Sequence, residues 1–197
     1  MSSKPVVLVT GANQGIGLQI AKDFVPHGFT VLVGSRNFEK GQSAAKGIGA
    51  DAHAVQLDVT DHKTIAAAAQ RIRKEFGRLD VLIQNAAISN TNKKPGQSVE
   101  EYSKTTRPSV VSLEEMRAVW DANVFGVLSV YQAMLPLLRA TPGARIVNVS
   151  SGVGSLTATS DPAYPPPRDF WSRLSRVQNG AQRVDRRHGA GTGVGRN

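Results

Sequence analysis

Val6-Val7-Leu8-Val9-Thr10-Gly11-Ala12-Asn13-Gln14-Gly15-Ile16-Gly17-Leu18-Gln19-Ile20-Ala21-Lys22 is the stretch that decides the fold of this chain. Its first four residues are apolar and predict a strand buried on both faces, and Ile16, Ile20 and Phe24 predict one face of a helix. Gly11 permits the tight turn between them, Gly15 admits a phosphate to the backbone N–H groups, and Gly17 allows close packing. Strand, glycine turn and helix predict a site where the positive helix end meets a pyrophosphate.

Beyond this stretch, apolar runs and helical periodicity predict four further strands and three further helices. The predicted strands are 29–33, 54–60, 79–84 and 145–151, and the predicted helices are 38–48, 62–76 and a long one that a capping box opens at 112–115. The segment 89–111 has no clear period and is predicted to be a surface loop. Strands that alternate with helices predict an α/β fold, a Rossmann-like doubly wound parallel sheet in three α/β/α layers, truncated after the fifth strand.

Composition excludes several classes of protein. The chain has 197 residues, no cysteine and no apolar run long enough to cross a membrane, so disulfides, thiolate metal sites and a membrane protein are excluded, and a cytoplasmic location is expected. The net charge is +9, but its excess lies in the tail from Pro165 to Asn197, which holds seven arginines, two aspartates and no lysine. The 33-residue tail therefore carries a net charge of +5, whereas the 164 residues before it carry only +4.

The spacing Thr-Gly-x-x-x-Gly-x-Gly at Thr10–Gly17 resembles the cofactor loop of the short-chain dehydrogenase/reductase family. Three later motifs resemble that family in the same order. They are Asn85-Ala86-Ala87 after the fourth strand, Asn123-Val124-Phe125-Gly126 in the long helix, and Ser150-Ser151 after the fifth strand. The resemblance covers about residues 5 to 164. It implies a nicotinamide cofactor, with the loop residues Thr10, Gly11, Asn13, Gln14, Gly15, Ile16 and Gly17 and the passage Asn85, Ala86 and Ala87 around it.

Arg36 follows the second strand, where a doubly wound sheet meets the adenosine ribose. An acidic residue there would accept from the ribose 2′-OH, whereas an arginine accommodates a 2′-phosphate. The sequence has no acid at this point and therefore favours NADP(H) over NAD(H). The other interpretation is a solvated surface arginine.

Asp58 and Val59 lie at the end of the third predicted strand. The resemblance implies that this pair lies beside the adenine ring. Either Asp58 or Asp61 is also suited to cap the helix that follows, so both interpretations are open, one for each aspartate.

For the substrate, the resemblance implies that Ser151 hydrogen-bonds the reacting oxygen. Serines after strands are also common turn residues. Asn123 would bend the long helix around a water in a proton relay, or it is a satisfied core amide.

The family's chemistry requires Tyr-x-x-x-Lys on the helix after the fifth strand, and no such motif follows Ser151. Tyr164 is the only later tyrosine, with Arg168 four residues on. Pro165, Pro166 and Pro167 lie between them, which a helix interior does not hold, and arginine does not deprotonate as the lysine would. Tyr164 is therefore a weak candidate for the acid.

A shifted reading frame supplies the missing motif. Read one nucleotide later, codons 177–197 can encode Ser-Lys-Thr-Ala-Leu-Asn-Ala-Leu-Thr-Val-Ala-Met-Ala-Arg-Glu-Leu-Gly-Trp-Glu-Glu, a helix-forming sequence with an apolar stripe. In the same frame, codons 174–175 can give a tyrosine and codons 178–179 a lysine four positions later. We interpret this as a frameshift near Pro165–Pro167.

These observations predict an incomplete NADP-binding domain at 1–164 and a disordered Arg/Gly/Pro-rich tail at 165–197. The resemblance implies an oxidoreductase like the carbonyl reductases, with a small carbonyl or alcohol substrate and no nucleic-acid or membrane partner. Activity of the chain as written is in doubt. The alternatives are a non-catalytic NADP-binding protein and, less favoured, an arginine-tailed binder of nucleic acid or acidic surfaces. Substrate and oligomeric state are left open.

Overall fold

In a computed structural model, which describes residues 4–92, 94, 96–105, 109–151 and 155–157, the first apolar run forms a fully buried strand, β1 (Val6–Val9). The chain then continues through ten further strands and helices. In order they are α1 (Gly15–Phe24), β2 (Thr30–Ser35), α2 (Phe38–Ile48), β3 (Ala52–Gln56), α3 (His62–Glu75), β4 (Val81–Gln84), α4 (Val99–Thr105), α5 (Leu113–Trp120), α6 (Gly126–Ala140) and β5 (Arg145–Asn148). A short 3₁₀ turn, Val25–His27, follows α1.

The five strands form one sheet in the order β3-β2-β1-β4-β5, and every neighbouring pair is parallel. The chain moves outward from β1 to β3 on one side and then crosses to β4 and β5 on the other. The point at which the order reverses therefore lies between β1 and β4, and open α/β sheets bind ligands at the carboxyl ends of the strands there.

Alternate residues of the sheet build two apolar cores. Val6 and Leu8 face a cluster completed by α3 and α6, whereas Val7 and Val9 face a cluster completed by α1 and α2. Helices therefore cover both faces, which confirms the three-layer doubly wound architecture predicted from the alternation of strands and helices.

The strand bounds differ from prediction by a few residues. β3 runs Ala52–Gln56 instead of 54–60, because the Asp58 carboxylate accepts hydrogen bonds from the N–H and hydroxyl of Thr60 and turns the chain away from the sheet. β4 begins at Val81 instead of residue 79. β5 ends at Asn148, so Ser151 follows the strand and does not belong to it.

Two helix predictions were wrong in part. The segment 89–111, predicted as a loop, contains α4, which Ser98 and Glu101 open with a reciprocal capping box. The long helix predicted from residue 112 is interrupted after α5 by a π-helical turn, Asp121–Phe125, before α6 begins.

Within the described residues β5 lies at the edge of the sheet and pairs with β4, and all four of its residues are exposed. Ile146 and Val147 keep 40 % and 46 % of their surface in contact with water, although they point to opposite faces of the sheet. Apolar side chains are therefore exposed on both faces of this strand.

The described residues divide into two compact units. The sheet unit consists of those within Met1–Ile88 and Trp120–Val149, and the second unit of those within Ser89–Val119 and after Val149. No helix in the described ranges has the length and apolar character needed to span a bilayer.

Candidate dinucleotide site

The turn between β1 and α1 leaves the helix N-terminus open. Gly11 and Gly15 have φ values of 65° and 59°, the left-handed region that favours glycine. Gln14, the residue before the helix, is extended and makes no side-chain capping bond. The N–H groups of the first helical turn therefore have no capping side chain, and their orientation together with the helix dipole suits an anion.

Two glycines permit close contacts that a side chain would prevent. A Cβ added at Gly17 would lie 2.4 Å from Asn85 Nδ2 and 2.6 Å from Gly11 O. A Cβ at Gly11 would lie 2.9 Å from the Cα of Ala86. Gly17 was predicted to allow close packing of the helix on the strand. In the structure its nearest neighbours are Gly11 and Ala12 of the turn and the side-chain amide of Asn85 after β4.

Thr10 joins the ends of β1 and β4. Its hydroxyl oxygen accepts the N–H groups of both Asn85 and Ala86, each at 3.0 Å, and the side chain is 1 % exposed. Asn85 returns the contact, since its Nδ2 donates to Thr10 O at 3.1 Å and to Gly11 O at 3.4 Å. The loop motif and the Asn85-Ala86 motif, 75 residues apart in the chain, therefore form one structure at the switch point of the sheet.

Periodicity predicted that Ile16 lies on the buried face of α1, and this prediction was wrong. Ile20 and Phe24 pack against the core, but Ile16 is 68 % exposed at the start of the helix. The reason is that the first turn of α1 lies beyond the end of β1, so no sheet surface remains for Ile16 to cover. Its apolar side chain is available at the mouth of the glycine turn.

Arg36 lies in a short link that hydrogen bonds fix on either side. The buried hydroxyl of Ser35 donates to Asn37 O at 2.7 Å, and Asn37 Oδ1 accepts the N–H of Lys40 and so caps α2. Arg36 itself is exposed. The charged side chain of Arg36 therefore directly follows the carboxyl end of β2 and lies two residues before the start of α2.

The two aspartates after β3 have separate tasks. Asp61 is the helix cap, because its Oδ1 accepts the N–H of Lys63 at the start of α3. Asp58 directs its carboxylate to Thr60, and its own N–H donates to Thr64 Oγ1 at 3.0 Å. Of the two interpretations for the cap, only Asp61 is confirmed, and an adenine contact at Asp58 stays a prediction.

Asn123 is a satisfied amide. Its Oδ1 accepts the N–H of Ile88 at 2.8 Å and its Nδ2 donates to Ile88 O at 2.7 Å, which ties the π-helical turn to the chain just after Ala87. A polar side chain in a helix interior requires such a partner. The relay role of Asn123 stays a prediction.

At the amino ends of β1 and β4, Asp80 and Arg78 form an ion pair, called here the charge clasp. Asp80 accepts the N–H of Val6 at 2.7 Å and pairs with Arg78. Burial opposes ionisation of Asp80, but the hydrogen bonds from Arg78 and Val6 outweigh it and hold the pKa of this carboxyl below its usual value. The clasp lies at the amino ends of β1 and β4, away from the glycine turn, and is structural.

A family model described as short chain dehydrogenase matches residues 5–168. The chain belongs to the short-chain dehydrogenase family. The match spans the glycine turn, the Asn85 motif and the Asn123 turn, which are the elements that the structure of this short-chain dehydrogenase joins at one edge of the sheet.

Curated relatives are about one third identical to this short-chain dehydrogenase over the aligned residues. The short-chain dehydrogenase anuI of Penicillium roqueforti is 34 % identical over 179 residues, which cover 87 % of this chain and 64 % of the relative. The (−)-isopiperitenone reductase of Mentha piperita is 35 % identical over 179 residues, covering 76 % of this chain and 57 % of that enzyme. The chain therefore spans about three fifths of the length of these relatives.

Solved structures agree on the fold. A menthone neomenthol reductase from Mentha piperita matches with a TM-score of 0.69 and 27 % identity, over 95 % of this chain and 76 % of that one. A 3-ketoacyl-(acyl-carrier-protein) reductase from Brucella melitensis, complexed with NADH, matches with a TM-score of 0.68 and 26 % identity, over 91 % and 67 % of the two chains. The family uses nicotinamide cofactors, and this last structure is an example.

Two further residues, Ser151 and Tyr164, were predicted for catalysis. Ser151 is an exposed residue of the second unit. Tyr164 and the arginine-rich tail lie outside the described residues, so the predictions made for them, including the frameshift, stay predictions.

The second unit holds a polar cluster that sequence reasoning missed. Glu115 is 4 % exposed, and its carboxylate accepts hydrogen bonds from the N–H and hydroxyl of Thr91, from Asn92 Nδ2 at 2.6 Å and from the Tyr102 hydroxyl at 3.3 Å. The capping box at 112–115 identified Glu115 as a helix-start residue, and its N–H does donate to Ser112 Oγ. No sequence signal indicated that the carboxylate also fixes the chain some 24 residues earlier.

Proposed function

We propose that this chain binds NADP(H) at the turn between β1 and α1, as an oxidoreductase that acts on a carbonyl or alcohol. The observation that carries the proposal is the uncapped start of α1, held against Asn85 and Ala86 by Thr10 at the switch point of the sheet. Anions bind at such helix ends, and dinucleotides bind at such switch points. In this proposal residues 1–164 form the cofactor domain, incomplete relative to the family.

The turn fits a pyrophosphate in shape as well as in charge. Space is open where a Cβ of Gly15 would stand, so a ligand can approach the backbone there, whereas Gly11 and Gly17 are packed from behind. In the proposal the N–H groups of the first helical turn hold the phosphates, and Asn13, Gln14 and the exposed Ile16 line the approach. The small residues Ala86 and Ala87 leave room for the cofactor beyond Asn85.

Preference for the 2′-phosphate rests on Arg36. Its guanidinium is the cation next to the end of β2, and the chain supplies no carboxylate in the link from Gly34 to Asn37 that would accept from a ribose 2′-OH. Asp58 and Val59, at the end of the neighbouring strand β3, would then face the adenine.

The reaction that the family resemblance supports is hydride transfer, which the nicotinamide supplies when it is bound. In this proposal Ser151 hydrogen-bonds the substrate oxygen and Asn123 supports a proton path. Tyr164 would be the proton donor, but the prolines that follow it argue against that role. The substrate is proposed to be a small carbonyl compound, because relatives named for their activity include isopiperitenone and menthone reductases. A cytoplasmic location and the lack of a nucleic-acid partner belong to the same proposal.

A non-catalytic NADP-binding protein is the second candidate. It is favoured by one observation, the absence of Tyr-x-x-x-Lys after Ser151 in the sequence as written. The cofactor turn does not depend on that motif, so binding and turnover can be separated by experiment.

The test compares NADPH with NADH in calorimetric titrations of the parent chain and of Arg36→Ala. We expect the parent to prefer NADPH and the variant to lose about tenfold in affinity for NADPH alone, since each tenfold is about 1.4 kcal/mol, the size of one charge-assisted contact. Equal affinity of the parent for both cofactors would contradict the NADP assignment. Oxidation of NADPH on addition of menthone would separate the enzyme from the non-catalytic alternative.

A further inference from the structure

The turn after β3 is fixed more firmly than a surface turn requires. Asp58 Oδ1 accepts two hydrogen bonds from Thr60, one from its N–H at 2.9 Å and one from its hydroxyl at 2.7 Å. A carboxylate held by two donors on one oxygen is restricted in rotation, because turning it would break both bonds. The orientation of the other oxygen, Oδ2, is therefore set by Thr60.

The main chain of the same turn is held from behind. Thr64 Oγ1 accepts the N–H of Asp58 at 3.0 Å, and Asp58 O accepts the N–H of Asp61 at 3.0 Å. Gly126, the first residue of α6, backs Val59 so closely that a Cβ there would lie 2.7 Å from Val59 O. Both the side chain and the backbone of Asp58 and Val59 are thus pre-arranged by neighbours in the sheet unit.

Two polar groups of this turn keep their hydrogen-bonding capacity. Within the part of the chain that the structure describes, neither Asp58 Oδ2 nor the N–H of Val59 takes part in a hydrogen bond. One is an acceptor and the other a donor, and they belong to consecutive residues. Adenine presents the complementary pair on its Watson–Crick edge, an amino donor at N6 and an acceptor at N1.

We propose that Thr60 is a positioning residue that makes the dinucleotide site selective for adenine, by fixing Asp58 so that Oδ2 accepts from the amino group of the base. This inference rests on the proposed cofactor function, in which Asp58 and Val59 face the adenine. It assigns to Thr60 a selectivity that neither the glycine turn nor Arg36 provides, because those residues contact phosphates and ribose and not the base.

The experiment compares NADPH with reduced nicotinamide hypoxanthine dinucleotide phosphate, in which an oxygen replaces the amino group and N1 carries a proton. Calorimetric titrations give the ratio of the two dissociation constants for the parent, Thr60→Val and Thr60→Ser. We expect the parent to prefer the adenine form by about tenfold, Thr60→Val to reduce that preference to about threefold or less, and Thr60→Ser, which keeps the hydroxyl, to restore it.

Asp61→Ala is the matched control, since it removes the carboxylate that caps α3 and keeps the backbone N–H that Asp61 donates to Asp58 O. Asp61→Ala should lower the thermal midpoint and leave the adenine preference unchanged. If Thr60 had only a structural role, Thr60→Val would show the same two results. An unchanged preference in a folded Thr60→Val protein overturns the inference while leaving cofactor binding in place. Failure of the parent to bind either dinucleotide overturns the proposed function, and the inference with it.

Discussion

At the scale of single residues, one buried hydroxyl does more for the candidate site than the glycines by which the site was found. Thr10 Oγ1 accepts two backbone N–H groups from the chain after β4, and Asn85 donates back to the carbonyls of Thr10 and Gly11. Gly11 and Gly17 make room for this contact, whereas Gly15 leaves open space in front of the turn. The geometry of the turn therefore depends on a hydrogen-bonded pair of residues 75 positions apart.

Replacement of Thr10 by valine keeps the shape of the side chain and removes its acceptor. Two half-buried N–H groups then have no partner, and we expect the free energy of unfolding to fall by about 2 kcal/mol. Urea denaturation followed by circular dichroism measures the change. Thr10→Ser, which keeps the hydroxyl, should lose less than half as much, and an equal loss in both variants would contradict the dominant role of the hydrogen bonds.

Residue types and spacing predicted part of the site. The positive φ values of Gly11 and Gly15 follow from the glycine pattern, because few other residues tolerate that conformation. The exposure of Ile16 did not follow, since periodicity does not show where the sheet ends beneath a helix. A satisfied core amide was one of the two interpretations left open for Asn123. Sequence alone does not show that its partner is Ile88, because the two residues are 35 positions apart.

At the scale of elements, the first and fourth strands are joined at both ends. Thr10 joins them at the carboxyl end, and Asp80 joins them at the amino end by accepting from the N–H of Val6. Because β1 and β4 flank the switch point, these two contacts hold the register on which the turn depends.

We expect Asp80→Asn to lower the free energy of unfolding by about 2 kcal/mol at pH 7, because hydrogen bonds to charged groups contribute roughly that much. The pKa of Asp80 is lower in the folded protein than in the unfolded chain, so its contribution is complete above the unfolded value of about 4 and is lost as the pH falls through the folded value. Urea titrations at several pH values should therefore show a parent–variant difference that is constant from pH 7 to about 5 and shrinks below about pH 4. A difference that grows on acidification would contradict this assignment.

The edge strand β5 gives the third prediction. Val147 is 46 % exposed, whereas Val31 in β2 is fully buried. Val→Thr changes little in shape but adds a hydroxyl, so Val31→Thr should lower the free energy of unfolding by about 2 kcal/mol and Val147→Thr by less than about 0.5. Equal losses in thermal or urea unfolding would mean that β5 is covered in solution.

Five strands in the correct order of the chain could be predicted because each is a short apolar run, and a helix follows each of the first four. The β3 and β4 bounds were wrong at ends where the apolar pattern continues past the strand, at Leu57, Val59 and Leu79. The helix α4 was missed because its signal, the capping box at Ser98 and Glu101, lies in a segment otherwise rich in polar residues. The π-helical turn was missed because an apolar stripe continues through it, from Val119 to Val130.

At the scale of the whole molecule, the family match ends close to the start of the arginine-rich tail. The match ends at residue 168, the arginine-rich sequence begins at Pro165, and the chain spans about three fifths of the length of its curated relatives. We predict that one base inserted or removed near codons 165–167 restores an open frame that encodes Tyr-x-x-x-Lys and the helix behind it. Sequencing of the coding DNA tests this directly, and a coding sequence in which no single-base change opens that frame would rule the frameshift out. The repaired chain should then oxidise NADPH with a carbonyl substrate.

The central claim is that the turn between β1 and α1, in the chain as written, is a working dinucleotide site. Calorimetric titration of NADPH into Gly17→Ala tests it most directly, with Gly47→Ala as the control. A Cβ at position 17 would collide with Asn85 and Gly11 O, whereas a Cβ at position 47 in α2 would meet no described atom within 4 Å outside its own stretch of helix. We expect the parent and Gly47→Ala to bind NADPH alike and Gly17→Ala to lose at least about tenfold in affinity, or about 1.4 kcal/mol. Equal binding by Gly17→Ala and the parent, or no binding by the parent, would contradict it.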